Sequence, residues 1–210
     1  MMKEKKYIYI ILERIIMNKN IKYKIINLLN NRKRTVINRS DCISAAVLIP
    51  IFLKENEYHL LFTKRSTTVE THKGQISFPG GVKDKKDNSF EETALRESYE
   101  ELGIIKKDID VLGALDDVIT VTGYCIFPLI GIIPYPYDFK INKTEVDEII
   151  EVPVNVLLDK KNYREDKNYI YKGIPCHYCC FRYGKHDIWG TTAGIVKNFL
   201  SLVYDWNYEE

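Results

Sequence analysis

Residues 78–104 read FPGGVKDKKDNSFEETALRESYEELGI, and the last nine of them carry most of the argument. Within Arg96-Glu97-Ser98-Tyr99-Glu100-Glu101-Leu102-Gly103-Ile104, the acids Glu97, Glu100 and Glu101 stand at i, i+3 and i+4. On a helix that spacing puts three carboxylates on one face, within a single turn. Like charges packed this way repel and cost stability. A hard divalent cation such as Mg2+ or Mn2+ offsets that repulsion, since it takes oxygen ligands and leaves room for water and substrate phosphate. The alternative is an ordinary solvated acidic face. Two glycines upstream and a basic residue beside the carboxylates favour the metal site.

Local chemistry predicts the helix. Ser89 followed by Glu92 has the spacing of a capping box, with Asp87 and Asn88 as alternative caps. Glu91 and Glu92 suit the positive end of the helix dipole. Ala94, Leu95, Ser98 and Leu102 fall on the face away from the carboxylates and are expected to pack inward. Gly103 can end the helix in a left-handed conformation. Upstream, a short strand over 75–78 runs into Pro79-Gly80-Gly81, where the absence of Cβ atoms lets backbone such as that of Gly81 approach a metal or a phosphate. The expected unit is a strand, a loop and a helix aimed at a metal-bound diphosphate.

The run Arg-Glu-x-x-Glu-Glu-x-Gly-Ile after a glycine-rich loop resembles the signature of the Nudix hydrolases, which cleave nucleoside diphosphates linked to another group. Counting back from Arg96, the family's first Glu falls at Asn88 and its Gly at Val82, so the loop carries an extra residue, and Ser98 stands where an apolar residue is usual. These departures are similar to the coenzyme A pyrophosphatase branch. That branch is resembled by Leu60-Leu61-Phe62-Thr63-Lys64-Arg65-Ser66, by His72-Lys73-Gly74-Gln75-Ile76-Ser77-Phe78-Pro79-Gly80-Gly81, and by the loop with Asp84 and Asp87. Thr93-Ala94-Leu95-Arg96-Glu97 and Ile188-Trp189-Gly190-Thr191-Thr192-Ala193 match it too, so the resemblance covers about residues 40–200. It implies an α/β/α sandwich with a mixed sheet and a catalytic strand-loop-helix unit.

The chain's 210 residues and net charge of +2 suit one domain with enough length to bury a core. The small, dispersed charge gives no push toward nucleic acid. Five unevenly spaced cysteines do not suggest a secreted disulfide framework, and a cytoplasmic protein is expected. Cys176-His177-Tyr178-Cys179-Cys180 invites a zinc reading, but a structural zinc site wants four ligands and no second CxxC pair follows. The alternating texture of 169–183 suits one strand with cysteines as packing residues.

The N-terminal apolar stretch is interrupted by Glu13 and Arg14, is too short to span a bilayer and lacks a small-residue cleavage site. No membrane partner is expected. Met17 offers an alternative start, and residues 1–38 are taken as an extension before a domain at 39–205. A helix is expected over 21–31, with Arg32, Lys33 and Arg34 as a solvated run. Strands are expected over 44–53 and 58–63 as a hairpin, then 110–115, 125–133 and 146–150, with a helical turn at 154–158. The stripe Ile195, Phe199 and Val203 predicts a helix over 192–204.

Metals held by Glu97, Glu100 and Glu101 would neutralise a diphosphate and lower the pKa of a bound water. Arg96 would fix a carboxylate rotamer through a forked ion pair. With Asn88 in place of the family's first Glu, the general base is open between Glu145 and Glu148. The branch implies coenzyme A or its thioesters as substrate, with 3′,5′-ADP and 4′-phosphopantetheine as products. Lys64, Arg65 and Lys73 can then meet the 3′-phosphate or be surface charge at a sheet edge, and Tyr135 and Tyr137 can stack on adenine. Two readings compete: hydrolysis of another diphosphate such as ADP-ribose, and a non-catalytic nucleotide sensor, which has no need of the full carboxylate set. The expected assembly is a monomer or homodimer.

Overall fold

The computed structural model describes residues 20–67, 73–171 and 173–208. The readings placed on residues 1–16, on Met17 and on His72 lie outside that range.

Strand β1 (Ile43–Lys54) is the centre of the sheet, and its side chains alternate between two cores. Ala46, Leu48 and Phe52 enter one cluster, while Ile49 and Ile51 enter the other. A strand covered on both faces has no polar side to show, which is why 44–53 reads as a nearly unbroken apolar run. Glu55 and Asn56 turn the chain with φ of 51° and 61°, and β2 (Glu57–Arg65) returns antiparallel to β1. On the other side, β7 (Tyr124–Ile132) runs parallel to β1. β3 (Ile76–Ser77) and β8 (Val146–Pro153) pair with β2, and β4 (Gly80–Val82) pairs with β1. β5 (Asp110–Ala114) and β6 (Val118–Ile119) pair with β7, which completes a mixed eight-stranded sheet.

Helix α2 (Phe90–Leu102) covers one face, packing Ala94, Leu95 and Leu102 against Leu48, Phe52 and Leu61. The opposite face carries helix α1 (residues 20–30), a short helix α3 (Val154–Leu158) and helix α4 (Gly190–Tyr204). Ile21 and Ile25 of α1 and Ile195, Phe199 and Val203 of α4 share one cluster with Ile49, Ile51, Leu60 and Phe62. Each such side chain is worth ~1.5–3 kcal/mol when fully buried, which ties both helices to the sheet. The architecture is the expected α/β/α sandwich.

Three details differ from the sequence reading. Residues 169–183 are not one strand: Gly173, at φ 81°, turns the chain between β9 (Tyr163–Tyr171) and β10 (Ile174–Tyr183). With β11 (His186–Trp189) these form a separate antiparallel sheet. Of the basic run at 32–34, Arg32 and Arg34 are paired rather than merely solvated, while Lys33 is exposed. Arg32 meets Asp116 at 2.7 Å and Arg34 meets Asp117 at 2.5 Å, all four side chains being part-buried. Finally, Cys42 and Cys125 form a disulfide where β1 and β7 begin. Among the described residues no helix is long and apolar enough to cross a membrane.

Candidate active site

Strand β4 and the turn before it, rather than an open loop, bring the backbone against the acidic face. A Cβ on Gly81 would lie 2.5 Å from Cδ of Glu97, so only glycine lets that carboxylate rest against the chain here. A Cβ on Gly80 would lie 2.3 Å from the Ala46 carbonyl oxygen, because β4 is pressed against β1. Leu48 N–H donates to Pro79 O at 2.9 Å and holds the turn down.

The helix that follows starts at Ser89, whose Oγ accepts from Glu92 N–H at 3.0 Å. The capping box is only half closed. The Glu92 carboxylate accepts from Asn88 N–H at 2.7 Å and from Asn88 Nδ2 at 2.9 Å instead of reaching Ser89. Gly103 ends the helix at φ 70°, donating its N–H to Ser98 O and Tyr99 O. Ser98, where an apolar residue is usual, is buried and donates its hydroxyl to Ala94 O at 2.7 Å, which satisfies it within the helix.

The three acids are not equivalent. Glu100 is half exposed, Glu97 is mostly covered, and Glu101 is only 4% exposed. Oε2 of Glu101 is buried with no hydrogen-bond partner. Burial, then the neighbouring Glu97, push the Glu101 carboxyl up to about 8, against Arg65 and the Gly80 N–H, which favour its charged form. Burial likewise raises Glu97, opposed by Arg96 and reinforced by Glu100 and Glu145. A carboxylate kept dry, beside another carboxylate and short of a partner, is costly in the folded chain.

Arg96 is held more tightly than the sequence suggested. Its Nη1 donates to Glu97 Oε1 and to Glu100 Oε2, both at 2.8 Å, and its Nη2 donates to Val82 O at 3.2 Å. Its Nε and Nη2 also form two parallel bonds to Asp87, each 3.0 Å. Asp87 is buried, and the Arg96 fork holds its carboxyl far below the usual range. Asp87 Oδ2 accepts in addition from Thr93 Oγ1 and Asp84 N–H, both at 2.9 Å. Spacing from Arg96 pointed to Asn88; the acid that matters stands one residue earlier, and the extra loop residue was the available signal.

Of the two base candidates, Glu145 lies close enough to raise both Glu97 and Glu101. Its Oε1 accepts from Asn142 Nδ2 at 3.3 Å, and Asn142 N–H donates to Glu101 O at 2.9 Å, so this loop is docked on the end of α2. Glu148 turns elsewhere, with its Oε1 3.5 Å from His186 Nε2 and 4.0 Å from Lys185 Nζ. The basic residues separate as well. Lys64 Nζ sits 3.2 Å from Asp147 Oδ2, and Lys73 is exposed. Arg65 instead faces the Glu101 side, with its Nε buried and unpartnered.

Tyr135 is used by the core: its ring stacks on Phe52 at 5.0 Å, with Lys54 Nζ 5.5 Å from its centroid. Tyr137 lines a cleft of about 510 Å3 with Tyr99, Glu100 and Lys140, and its hydroxyl donates to Asp108 at 3.0 Å.

Among the described residues no three acidic, histidine or cysteine side chains close on one point as a finished cage. Mg2+ seldom needs one, since it binds through one or two carboxylates and keeps its remaining waters or substrate oxygens. The unpartnered Glu101 oxygen, the adjacent Glu97 and the side-chain-free Gly81 backbone are oxygen donors of that kind and fit a hard divalent cation.

A glycine-bearing strand and an acidic helix face thus meet in a sandwich built on a mixed sheet, with carboxylates disposed to hold a cation. The NUDIX domain family model matches residues 43–172, and the chain belongs to the Nudix family. It is 40% identical over 159 residues to a Photorhabdus laumondii protein described as an uncharacterized Nudix hydrolase NudL, across 76% of this chain and 84% of that one. An Escherichia coli protein of the same description is 38% identical, across 73% and 79%. Of solved structures, a C. elegans Ap4A hydrolase superposes with a TM-score of 0.47 at 16% identity, covering 53% of this chain and 80% of that chain. By its family and these relatives the chain is a Nudix pyrophosphohydrolase.

Proposed function

We propose that the chain hydrolyses the diphosphate bond of coenzyme A or its thioesters, yielding 3′,5′-ADP and 4′-phosphopantetheine or its acyl form. The observation that carries the reaction class is the buried Glu101 carboxylate with one oxygen unpartnered, set beside Glu97 and against the Gly80–Gly81 backbone. The substrate rests on the motif residues 60–66 and 72–81, whose described part lies along β2, β3 and the start of β4.

Glu97 and Glu101, with the Gly81 backbone and the more exposed Glu100, would hold Mg2+ or Mn2+. When bound, the ion supplies charge neutralisation of the diphosphate and acidification of a water. Arg96, clamped by Asp87, orients Glu97 and Glu100 so that little reorganisation is left for the reaction. Glu145 takes the proton of the attacking water. The water oxygen bonds to one phosphorus, the P–O–P bridge breaks there, and the departing phosphate keeps the bridge oxygen with its electron pair. Lys64, Arg65 and Lys73 supply positive charge for the substrate's phosphates.

The test is product analysis with coenzyme A, ADP-ribose and nucleoside triphosphates, each with Mg2+ and with Mn2+. Release of 3′,5′-ADP from coenzyme A at the highest kcat/KM supports the proposal. Turnover of ADP-ribose with none of coenzyme A overturns it.

A further inference from the structure

The three basic residues of the upstream motif are not placed alike, and Arg65 stands apart. On β2, Leu61 packs with Ala94, Leu95 and Leu102 under α2, whereas Leu60 and Phe62 face the other core. Alternate residues of a strand share a face. Thr63, buried, and then Arg65 therefore project to the α2 side, where Glu101 sits. The register irregularity at this point lies on β8: Lys64 opposes Glu148 and Arg65 opposes Val146, so Asp147 is the extra residue and β2 keeps its alternation. Lys64 projects to the opposite side and meets Asp147.

The backbone around Arg65 is fixed on both sides. Its N–H donates to Gln75 O at 2.9 Å and its carbonyl accepts from Gly74 N–H at 3.2 Å. Ser66 N–H donates to Glu145 O at 2.8 Å, which brings the base-bearing loop alongside. Arg65 is only part-exposed, and its Nε is buried without a hydrogen-bond partner. An unpartnered buried guanidinium N–H is as costly as an unpartnered carboxylate oxygen, and it calls for an acceptor. The acceptor delivered to this place by the reaction is a phosphate oxygen. The planar fork of arginine suits a phosphate, with donors set where negative charge builds up as the bridge breaks.

We infer that Arg65 is a catalytic residue that binds the scissile diphosphate itself, and that it does not read the 3′-phosphate of the substrate. The inference deepens the proposed function and rests on that reading for the choice of substrate. Arg65 would donate to non-bridging oxygens of the diphosphate across from Glu97 and Glu101. Lys64 and Lys73 remain as the residues available to a remote phosphate.

Two measurements test this. Arg65→Ala and Arg65→Lys are compared with the parent protein on coenzyme A and on 3′-dephospho-coenzyme A. A contact to the bridge affects both substrates, because both carry it. Arg65→Ala is expected to lower kcat/KM by ~10²-fold or more on each, leaving their ratio unchanged, with an intermediate loss for Arg65→Lys, which keeps the charge but not the fork. A loss confined to coenzyme A, or no loss on either, overturns the inference. The second measurement needs no turnover: inorganic pyrophosphate with Mg2+ is expected to raise the melting temperature of the parent over Mg2+ alone, and to do so much less in both variants. A full shift in folded Arg65→Lys overturns the inference. If the parent does not cleave coenzyme A, the substrate reading fails while the pyrophosphate result still decides Arg65.

Discussion

Asp87 and Arg96 face each other through two parallel hydrogen bonds of 3.0 Å, and Arg96 passes that restraint on to Glu97 and Glu100 at 2.8 Å. Asp87 stands outside the carboxylate triad that the sequence displays. It acts on the triad through the arginine, as the buried end of a chain of charged bonds. Because the pair is largely covered, removing one partner leaves the other short of bonds that water cannot replace.

Asp87→Asn is therefore expected to cost ~2 kcal/mol or more of stability and to lower kcat about tenfold. The Asp87 carboxyl is depressed by Arg96, so its contribution is complete above the ordinary carboxylate range and is lost as pH falls below it. Chemical denaturation of parent and variant at pH 7 and pH 3 checks both points. The gap should narrow at the lower pH; a gap that is constant or wider there counts against the clamp.

Glu101 has the opposite sign. Its folded value of about 8 stands above the ~4.3 of an unfolded glutamate, so the metal-free folded chain keeps a proton that the unfolded chain releases. In EDTA, this group's share of stability is full below ~pH 4 and is lost as pH rises toward 8. Glu101→Gln should flatten that slope between pH 5 and pH 8. It should also abolish the rise in melting temperature on adding Mg2+, and Glu101→Gln and Glu97→Gln should each cut turnover ~10²-fold or more with the fold kept. Near-parental turnover in both variants would sink the metal assignment.

The two glycines of β4 should fail differently. Gly80→Ala drives a Cβ into backbone at 2.3 Å and is expected to lose the folded protein or much of its melting temperature. Gly81→Ala has the Glu97 carboxylate as the nearest group to its Cβ, at 2.5 Å, a side chain rather than backbone. It should fold, melt close to the parent in EDTA, and need ~10-fold or more Mg2+ for half-maximal rate. Equal melting losses in the two variants would contradict this division.

Glu145→Gln should lower kcat by ~10²-fold or more and remove the acidic limb of the pH–rate profile, as expected for loss of a general base. Glu148→Gln loses only its contacts to His186 and Lys185 and should stay within ~3-fold of the parent. The reverse ranking would move the base to Glu148.

What the sequence determined by itself is what short-range chemistry determines. The spacing of Glu97, Glu100 and Glu101, the Ser89 cap and the Gly103 terminus are interactions within a turn or two, and they define α2 and its acidic face. The apolar run of β1 reports burial on both sides without saying what does the burying. Tertiary structure decided everything that depends on partners far along the chain. Glu145 and Glu148 are three residues apart, yet the first, just before β8, sits in a loop docked on the end of α2, while the second, within β8, meets β11. Asp87 outranks Asn88 because the loop buries the one against Arg96 and leaves the other at the helix entrance. Arg32 and Arg34 look like solvated charge until Asp116 and Asp117, more than 80 residues later, are folded against them. Arg65 and Lys64 are neighbours in sequence with the same charge sign. The pleat of β2 sends them to opposite faces, and that geometry, which composition does not encode, separates a group on the Glu101 side of the sheet from one paired with Asp147 on the other.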